Sequence, residues 1–397
     1  MTAPTSTREE VVVELARPAN DMVQEEIGKR IAHLAREVGQ VRFAADGASF
    51  SFEAPAGRRE ELRGRAEDAA RRVQRSLRNL DRAVVFRSRT ADHPHFNGDG
   101  SADGIRFLGR GQVALQGAPL QLFEYFDRVF TAFGRPFGAR PLRVPTLIPV
   151  ETLAKCDYLK SFPQLLNFVA HLHEDADVVS AFQEQHANRT DLADDAVTQL
   201  ATPEVGLSPA VCYHAYSMHA GTEIPAGGVT YGMCGKCFRY EGSGMQDMRR
   251  LWDFTLREVV FLGTREEVLA ERARGVEDMG RFLDAHEVAA EIRTASDPFF
   301  VAPDDALAKT YFQLSSDTKY EVAAYLPDGS QLAVGSLNYH GDFFGRTFDC
   351  TTVGGAPMHS VCIGFGLERW VHAFLAQHGV SPRAWPEVVR TAPEFAA

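Results

Sequence analysis

Hydrophobic and polar positions over residues 1–92 follow the periods of short strands and amphipathic helices in turn. The resulting order is strand, helix, strand, strand, helix, strand. The predicted strands are residues 11–13, 41–43, 49–52 and 83–87, and the predicted helices are residues 21–38 and 58–80. Asp46 and Gly47, between the second and third strands, are typical of a hairpin turn. This order predicts a small ferredoxin-like α/β domain over residues 1–92.

Residues 93–397 contain longer elements, and strands predominate among them. A stretch rich in Asp, Gly and His at residues 90–104 predicts the connecting loop. A helix is predicted at residues 121–133, followed by the extended segment 141–149 and by strands at residues 229–231, 256–262, 320–325 and 331–337. The chain has no Gly-rich phosphate-binding motif of the Rossmann or Walker type, so side chains must hold any phosphates. The pattern predicts an antiparallel α+β domain.

Composition narrows the class of protein. The chain has 397 residues, of which 45% are hydrophobic and 24% charged, enough for one large core and a smaller one. The net charge of −11 disfavours a general nucleic-acid-binding role, because phosphate contacts need clustered Lys and Arg. No signal-like start or membrane-spanning apolar run is present, and a soluble cytoplasmic protein is expected. Its six cysteines are expected to be buried or to bind metal.

Two segments with dense Arg and aromatic residues predict a ligand-binding cavity. Arg239 and Glu241 alternate along one predicted strand. The same alternation puts Arg250, Phe254 and Glu258, together with Trp252, on one face of the returning strand. Guanidinium forks beside an aromatic plane suit a nucleotide. The alternative is a surface strand pair linked by salt bridges.

A third segment, residues 364–370 (GFGLERW), opens an amphipathic helix. Arg369 would lie in its first turn, where the helix dipole disfavours a cation unless an anion is bound nearby.

Three segments together resemble motifs 1, 2 and 3 of class II aminoacyl-tRNA synthetases, in the correct order. They are the helix followed by PTLIP, the FRYE and RRLWDF strands, and GFGLERW. The stretches LSPAVCYHAY, FRYEGS, SLNYHGDFFG and CIGFGLERW resemble more closely the amino acid:[carrier protein] ligases, which are relatives of methanogenic-type seryl-tRNA synthetases. The resemblance extends from about Ile105 to the C-terminus. It implies a class II antiparallel sheet flanked by helices over residues 93–397.

The resemblance also implies roles for residues that would bind ATP. Arg239 would hold the α-phosphate, and Glu241 would help to position the adenine or the substrate amine. Phe254 would stack on the adenine. Arg250 and Arg369 would hold the γ-phosphate end of a bent ATP. Arg239, Glu241 and Arg369 are therefore the predicted catalytic residues.

The same resemblance implies binding sites for two metal ions, magnesium and zinc. Asn338 falls near the family's magnesium-binding strand, although no matching carboxylate stands immediately beside it in the sequence. Cys212, Glu258 and Cys362 match the positions that bind Zn²⁺ in these families, where the amine of the amino acid takes the fourth position. Two cysteines and one glutamate with an open position are chemically reasonable for such a zinc.

Spacing alone favours a different pair of cysteines. Cys234 and Cys237 form a C-x-x-C sequence, which is a weak metal signal without a second pair. They are expected to pack beside the ATP pocket. Cys156 and Cys350 are expected to be buried.

The function implied is ATP-dependent activation of a small amino acid as an aminoacyl-adenylate, with transfer to the phosphopantetheine thiol of a carrier protein. Residues 58–89 contain eleven Arg against five acidic residues, and this surface could dock an acidic carrier. It could equally be an ordinary solvated helix face. Seryl-tRNA synthetase-type aminoacylation of tRNA is the alternative, as is a non-catalytic paralogue that senses an amino acid. The motif 1 segment implies a homodimer.

Overall fold

The computed structural model describes residues 8–35, 37–77, 82–242, 245, 247–296 and 318–395. Its strands are β1 (Arg8–Glu14), β2 (Arg42–Phe43), β3 (Ser49–Pro55), β4 (Val84–Arg87), β5 (Ile105–Gly109), β6 (Gln112–Leu115), β7 (Arg140–Leu142), β8 (Leu147–Pro149), β9 (Phe168–Val169), β10 (Val205–Leu207), β11 (Glu223–Ile224), β12 (Val229–Phe238), β13 (Asp253–Gly263), β14 (Ala290–Thr294), β15 (Lys319–Tyr325), β16 (Gln331–Tyr339), β17 (Thr351–Thr352) and β18 (His359–Gly366).

The α-helices are α1 (Asp21–Ile31), α2 (Arg59–Ser76), α3 (Gly117–Gly134), α4 (Val150–Lys155), α5 (Tyr158–Ser161), α6 (Ala176–His186), α7 (Tyr213–Met218), α8 (Arg265–Ala285), α9 (Phe343–Thr347), α10 (Leu367–His378) and α11 (Glu387–Arg390). Short 3₁₀ turns are at Ala56–Arg58, Arg135–Phe137, Pro163–Leu165, Ala196–Gln199, Pro382–Ala384 and Pro393–Phe395. None of the helices within the described ranges has both the length and the apolar character needed to cross a bilayer.

The N-terminal unit is a three-stranded antiparallel sheet, in the order β1-β3-β2, packed against α1 and α2. Asn20 caps α1 by accepting a hydrogen bond from Val23 N at 3.0 Å. Gly47 turns the predicted hairpin with a φ of 67°, and a Cβ there would meet Ala19 O at 2.5 Å. The helix predicted at residues 21–38 is shorter, because α1 ends at Ile31 and a turn follows.

The last strand of the predicted ferredoxin-like order lies elsewhere. Residues 84–87 form β4, but β4 pairs antiparallel with β14 of the large sheet and does not close the small one. Phe86 packs against the large core, where a Cβ on Gly280 of α8 would meet its ring at 2.7 Å. A strand of four residues is stabilised mainly by the sheet edge and core that it joins, which explains this correction.

The large sheet has eight strands in the order β4-β14-β15-β16-β18-β13-β12-β7, and it confirms the predicted antiparallel α+β fold. All neighbours are antiparallel except β12 and β7. Helices α3, α8 and α10 cover one face, against side chains such as Phe261 and Ile363. Alternate residues such as Val260 and Cys362 face a second core with α7 and α9. The substrate-side residues described below lie on this second face.

Candidate active site

Three potential metal ligands from distant parts of the chain meet on the second face of the large sheet. Glu258 lies on β13, Cys362 on the neighbouring β18, and Cys212 immediately before α7. Their ligand atoms all lie within 4.8 Å of one another, and all three residues are buried. Cys362 Sγ donates a hydrogen bond to Glu258 Oε1 at 3.3 Å. The structure therefore brings together the three residues predicted to bind zinc.

The chemistry of this cluster fits a zinc ion. Glu258 Oε2 is buried and has no hydrogen-bond partner among the described residues. Burial raises the pKa of Glu258. The hydrogen bond with Cys212, together with burial, holds the pKa of Cys362 well above its usual value. Three acidic groups in an apolar site can all ionise only if a cation compensates them. Zinc takes sulfur and carboxylate ligands at about 2.0–2.3 Å, which a cluster this compact allows.

A buried tyrosine next to this cluster was not predicted from the sequence. Tyr216 follows Cys212 by four residues, so both lie on one side of the α7 turn. Its ring stacks on Phe344 at a centroid distance of 4.0 Å, and its hydroxyl lies 3.4 Å from His340 Nδ1. His340 Nδ1 in turn lies 3.0 Å from Ser360 Oγ. The sequence signal that could have found Tyr216 is its spacing of four residues from Cys212, a suspected metal ligand.

The C-x-x-C pair does not form a binding site. Cys234 and Cys237 are three residues apart on β12 and therefore point to opposite faces of the sheet. Cys237 is in the second core, whereas Cys234 Sγ donates to Asp127 Oδ1 of α3 at 3.5 Å. Burial raises the pKa of Cys234 to about 12, so its thiol is protonated at neutral pH. The expectation that both are packing residues agrees with this arrangement, and all six cysteines are free.

Arg239 and Phe254 form the centre of the predicted nucleotide site. The Arg239 guanidinium lies over the Phe254 ring, 5.4 Å from its centroid, and its Nε donates to Pro209 O at 3.0 Å. Arg239 N also donates to Trp252 O at 3.1 Å, which continues the β12–β13 pairing beyond the end of β12. This pairing explains why the two predicted strands present both side chains to one cleft.

Glu241 and Arg250 lie at the outer edge of the same cleft. Arg250 Nε is 3.6 Å from Glu241 Oε2, and 54% of the Arg250 side chain is exposed. Such an exposed pair has little intrinsic strength, so a phosphate can replace the carboxylate as a partner.

Arg369 lies at the start of α10, at the same end of the site. Its Nε donates to Arg249 O at 2.8 Å and its Nη1 to Ala333 O at 3.1 Å. Burial lowers the pKa of Arg369, and Glu241, Arg250 and Arg239 are among the charged neighbours that act on it. The bond to Arg249 O places Arg369 beside the neighbouring Arg250. Positive charges this close call for an anionic ligand, and the roles of Arg239, Arg250 and Arg369 stay predictions.

Asn338 lies at the other end of the cleft. It is opposite Cys362 in the pairing of β16 with β18, and opposite Lys319 in the pairing of β15 with β16. Its Nδ2 donates to Ser336 Oγ at 3.2 Å, and its Oδ1 is buried with no hydrogen-bond partner in the described part of the chain. No carboxylate is directly opposite Asn338 within the described strands, so its role as a magnesium ligand stays a prediction.

Comparison with models of protein families gives no match. Among curated proteins, the chain is 34% identical over 258 residues to amino acid–[acyl-carrier-protein] ligase 1 of Bradyrhizobium diazoefficiens, an alignment that covers 64% of this chain and 77% of that protein. The chain belongs to the amino acid–[acyl-carrier-protein] ligase family. It is therefore an enzyme of the ligase class.

More distant relatives of this ligase are synthetases. It is 27% identical over 315 residues to the type-2 serine–tRNA ligase of Methanopyrus kandleri, covering 74% of this chain and 60% of that protein. The crystal structure of M. kandleri SerRS in complex with A. aeolicus tRNASec matches its fold with a TM-score of 0.68 and 23% identity, over 96% of this chain and 77% of that one. These comparisons confirm the predicted family and the class II synthetase fold.

Proposed function

We propose that this ligase activates a small amino acid with ATP, as an aminoacyl-adenylate, and transfers it to the phosphopantetheine thiol of a carrier protein. The observation that best supports this proposal is the position of the Cys212, Glu258 and Cys362 cluster on the same face of the sheet as the Arg239–Phe254 pair. An amine-binding metal at one end and a nucleotide site at the other would bring an amino acid carboxylate towards an α-phosphate.

In the activation step, a carboxylate oxygen of the amino acid attacks the α-phosphorus of ATP. A new O–P bond forms, the bond from the α-phosphorus to the bridging oxygen breaks, and pyrophosphate leaves. No general base is needed, because the carboxylate is already ionised at neutral pH. Arg239 stabilises the charge on the α-phosphate, Phe254 holds the adenine, and Arg250 and Arg369 hold the γ-phosphate end.

The amino acid would be held by its amine. A zinc ion bound by Cys212, Glu258 and Cys362 would offer its fourth position to a free α-amine. Glu258 and the two thiols supply the negative charge that such an ion requires, and burial excludes water from their side of the site. The buried Tyr216 ring, stacked on Phe344, would limit the space beside the cluster and so favour a small side chain.

Magnesium is proposed to accompany the ATP phosphates. On the substrate face, the carboxylate of Glu321 on β15 lies opposite Ser336 on β16, whereas Lys319 lies opposite Asn338. A divalent cation prefers carboxylate ligands, but Lys319 Nζ already forms an ion pair with Glu321 Oε1 at 3.0 Å. Glu321 and Asn338 are thus the two candidate ligands on these strands, and magnesium would have to displace Lys319 from Glu321 to use the carboxylate.

The acceptor is proposed to be a carrier protein because the relatives that show the family act on one. Much of the positive charge of residues 58–89 is neutralised by nearby acids, as in the pairs Arg58–Glu61, Arg63–Glu67 and Arg71–Asp68. This pattern fits the solvated-face interpretation for most of α2. Arg72 and Arg75 lie exposed around the same groove as the Arg71–Asp68 pair, and they are the part of the surface that could dock an acidic carrier.

Transfer to tRNA is the second candidate. The likeness to M. kandleri SerRS spans 96% of this chain, so it extends into the N-terminal unit. That observation favours a role for the N-terminal unit in binding a tRNA acceptor. The net charge of −11 disfavours it. A non-catalytic sensor is not supported by the site, because Arg239, Arg250 and Arg369 are all present.

A homodimer is proposed from the motif 1 segment. The strand β7 lies at the edge of the large sheet, and Leu147 of the next strand in the chain, β8, is 44% exposed. An open edge beside apolar surface is suited to pairing with a second copy. Size-exclusion chromatography with light scattering should give a dimer at micromolar concentration, and a monomer would contradict the proposal.

The acceptor can be tested by incubating the ligase with ATP, a radiolabelled small amino acid and either a holo carrier protein or bulk tRNA. The proposal predicts label on the carrier, released by hydroxylamine as expected for a thioester, and absent with the apo carrier. Label on tRNA but not on the holo carrier would instead support the second candidate.

A further inference from the structure

The β5–β6 hairpin lies against the strands that carry the predicted nucleotide residues. Its turn is formed by Arg110 and Gly111, between the paired residues of β5 and β6. Gly111 O accepts hydrogen bonds from the backbone N of Trp252 at 2.9 Å and of Asp253 at 3.3 Å. The turn of a hairpin that precedes α3 therefore contacts the start of β13 directly.

This close approach requires a residue without a side chain at position 111. Gly111 is buried and has a φ of 61°, a backbone conformation that glycine adopts without strain. A Cβ there would lie 2.5 Å from Trp252 N and 3.2 Å from Met245 Cβ. Any larger residue would have to push the turn away from β13 and would break the hydrogen bond to Trp252 N.

Trp252 connects the hairpin turn to Arg239. Its backbone N donates to Gly111 O, whereas its backbone O accepts a hydrogen bond from Arg239 N at 3.1 Å. Trp252 Nε1 also donates to Asn167 Oδ1 at 2.5 Å, which fixes the indole. A shift of Trp252 would therefore move the backbone of Arg239, and it would also move Phe254, two residues further along β13.

Arg110 makes a second contact to the same strands through its side chain. Arg110 Nη1 donates to the Tyr240 hydroxyl at 3.1 Å, and Tyr240 directly follows Arg239 in the chain. The Tyr240 ring lies edge-on against Trp252, with 4.9 Å between the ring centroids. The hairpin turn therefore contacts the chain on both sides of the loop that joins β12 to β13.

Arg250 lies between two anchored residues of that loop. On one side, Arg369 Nε donates to Arg249 O at 2.8 Å. On the other side, Gly111 O accepts the hydrogen bond from Trp252 N. The Arg250 side chain is 54% exposed and forms only a loose ion pair, so its direction depends on how well its backbone is held.

We propose that the Arg110–Gly111 turn is a positioning element of the nucleotide site. It holds the backbone that carries Arg239, Arg250 and Phe254. This inference rests on the proposed activation by ATP, and it adds to that reaction a segment that precedes α3. Loss of the turn's contacts would leave the guanidinium groups without a fixed direction towards the triphosphate. Binding of ATP would weaken, whereas binding of the amino acid at the metal cluster would not.

Gly111→Ala in the full-length ligase tests the turn. We expect the KM for ATP in pyrophosphate exchange to rise about tenfold, because the added methyl group displaces Trp252 N from its acceptor. The KM for the amino acid and the zinc content should stay close to those of the wild type. Gly117→Ala is the matched control, since Gly117 has a φ of 60° but a Cβ there would meet no atom of the described residues within 4 Å.

Arg110→Ala and Tyr240→Phe test the side-chain contact without altering the turn. Each variant should raise the KM for ATP about threefold, and the double variant should raise it no further, because all three lack the same hydrogen bond. Arg110→Lys keeps a donor and should restore most of the affinity. No effect in either single variant, or additive effects in the double variant, would overturn the role of this contact.

Binding of a non-hydrolysable ATP analogue, measured by calorimetry, separates this inference from the proposed function. If the wild type binds the analogue but shows no amino-acid-dependent exchange, the proposed function fails, and weaker binding in Gly111→Ala still supports the positioning role. Unchanged binding in folded Gly111→Ala, or an equal loss in Gly117→Ala, overturns that role. A wild-type protein that binds no nucleotide overturns both.

Discussion

Cys362 donates a hydrogen bond from its thiol to Glu258 Oε1 over 3.3 Å, although 104 residues separate the two along the chain. The contact exists because β13 and β18 are antiparallel neighbours, with Glu258 opposite Gly364 and Val260 opposite Cys362. Gly364 has no side chain over Glu258, and a Cβ there would be in ordinary van der Waals contact with Glu258 Oε1 at 3.7 Å. The pairing of two strands that are distant in sequence therefore brings Glu258 and Cys362 together in the candidate metal site.

The cluster predicts a bound zinc ion. Purified protein should contain about one zinc per chain, and Cys212→Ser should lose most of it, because removal of one of three protein ligands weakens the site. Metal analysis by mass spectrometry after dialysis measures this directly. Cys234→Ser is the matched control, since Cys234 faces α3 on the opposite side of the sheet. Full zinc occupancy in Cys212→Ser would contradict the ligand set.

Adenine stacking on Phe254 predicts a specific kinetic defect. Phe254→Ala should raise the KM for ATP about tenfold, because stacking of a base on an aromatic ring is worth about 1–3 kcal/mol. Phe254→Tyr keeps the ring and should stay near the wild type. The KM for the amino acid serves as the internal reference in both variants. Equal increases of both KM values in Phe254→Ala would show that the ring supports the whole cleft and has no special role for adenine.

The metal ligands illustrate what spacing alone could not predict. From spacing, the only cysteine pair with a metal signal was Cys234 and Cys237, yet an offset of three on a strand sends the two side chains to opposite faces. Cys212, Glu258 and Cys362 have no local signature, and only the resemblance to known ligases implied them. The nucleotide-binding residues were easier to predict from the sequence, because alternation along β12 and β13 places Arg239 and Phe254 in one cleft.

The junction between α1 and the catalytic sheet, where the buried Glu26 accepts a hydrogen bond from Ser296 Oγ, predicts loss of stability in acid. Burial opposes ionisation of Glu26, but Lys29 and Arg30 outweigh it and lower its pKa below the usual 4.5. The stabilisation that the ionised Glu26 gives to the folded state is therefore fully present above about pH 4.5, and it is lost as the pH falls through the folded-state pKa of Glu26. Glu26→Gln should lower the free energy of unfolding by about 3 kcal/mol at pH 7. The stability of this variant should also fall less steeply in acid than that of the wild type.

Denaturant unfolding followed by circular dichroism at several pH values checks this expectation. Glu53→Gln is a suitable control, because that glutamate is exposed in the same unit. A Glu26→Gln protein as stable as the wild type at pH 7 would show that the buried network does not hold the junction.

A buried histidine predicts a second pH effect at higher pH. His286 lies 2.7 Å from Tyr125 OH and 2.8 Å from Phe282 O, and burial lowers the pKa of His286 to about 4. The unfolded chain takes up this proton near pH 6.5, so the stabilisation is complete above that value and is lost as the pH falls towards 4. The loss is at most about 3 kcal/mol. His286→Gln should flatten thermal stability over this range, whereas an unchanged slope would contradict the assignment.

The course of the fold was largely predictable from periodicity, but the place of one strand was not. The strands β12, β13, β15 and β16 have long apolar alternation, and their predicted cores fall within the observed strands. β4 has only four residues, and its sequence does not say which of two open edges it joins. That choice depends on Phe86 and on the space left by Gly280, both of which are tertiary features.

The central claim is that the cleft activates an amino acid with ATP. Amino-acid-dependent exchange between ATP and labelled pyrophosphate, measured across the twenty amino acids, tests it most directly. The wild-type ligase should show exchange with one or a few small amino acids, and Arg239→Ala should abolish it while Arg106→Ala, at an exposed position, keeps it. Absence of exchange with every amino acid, or near-normal exchange in Arg239→Ala, would contradict the account.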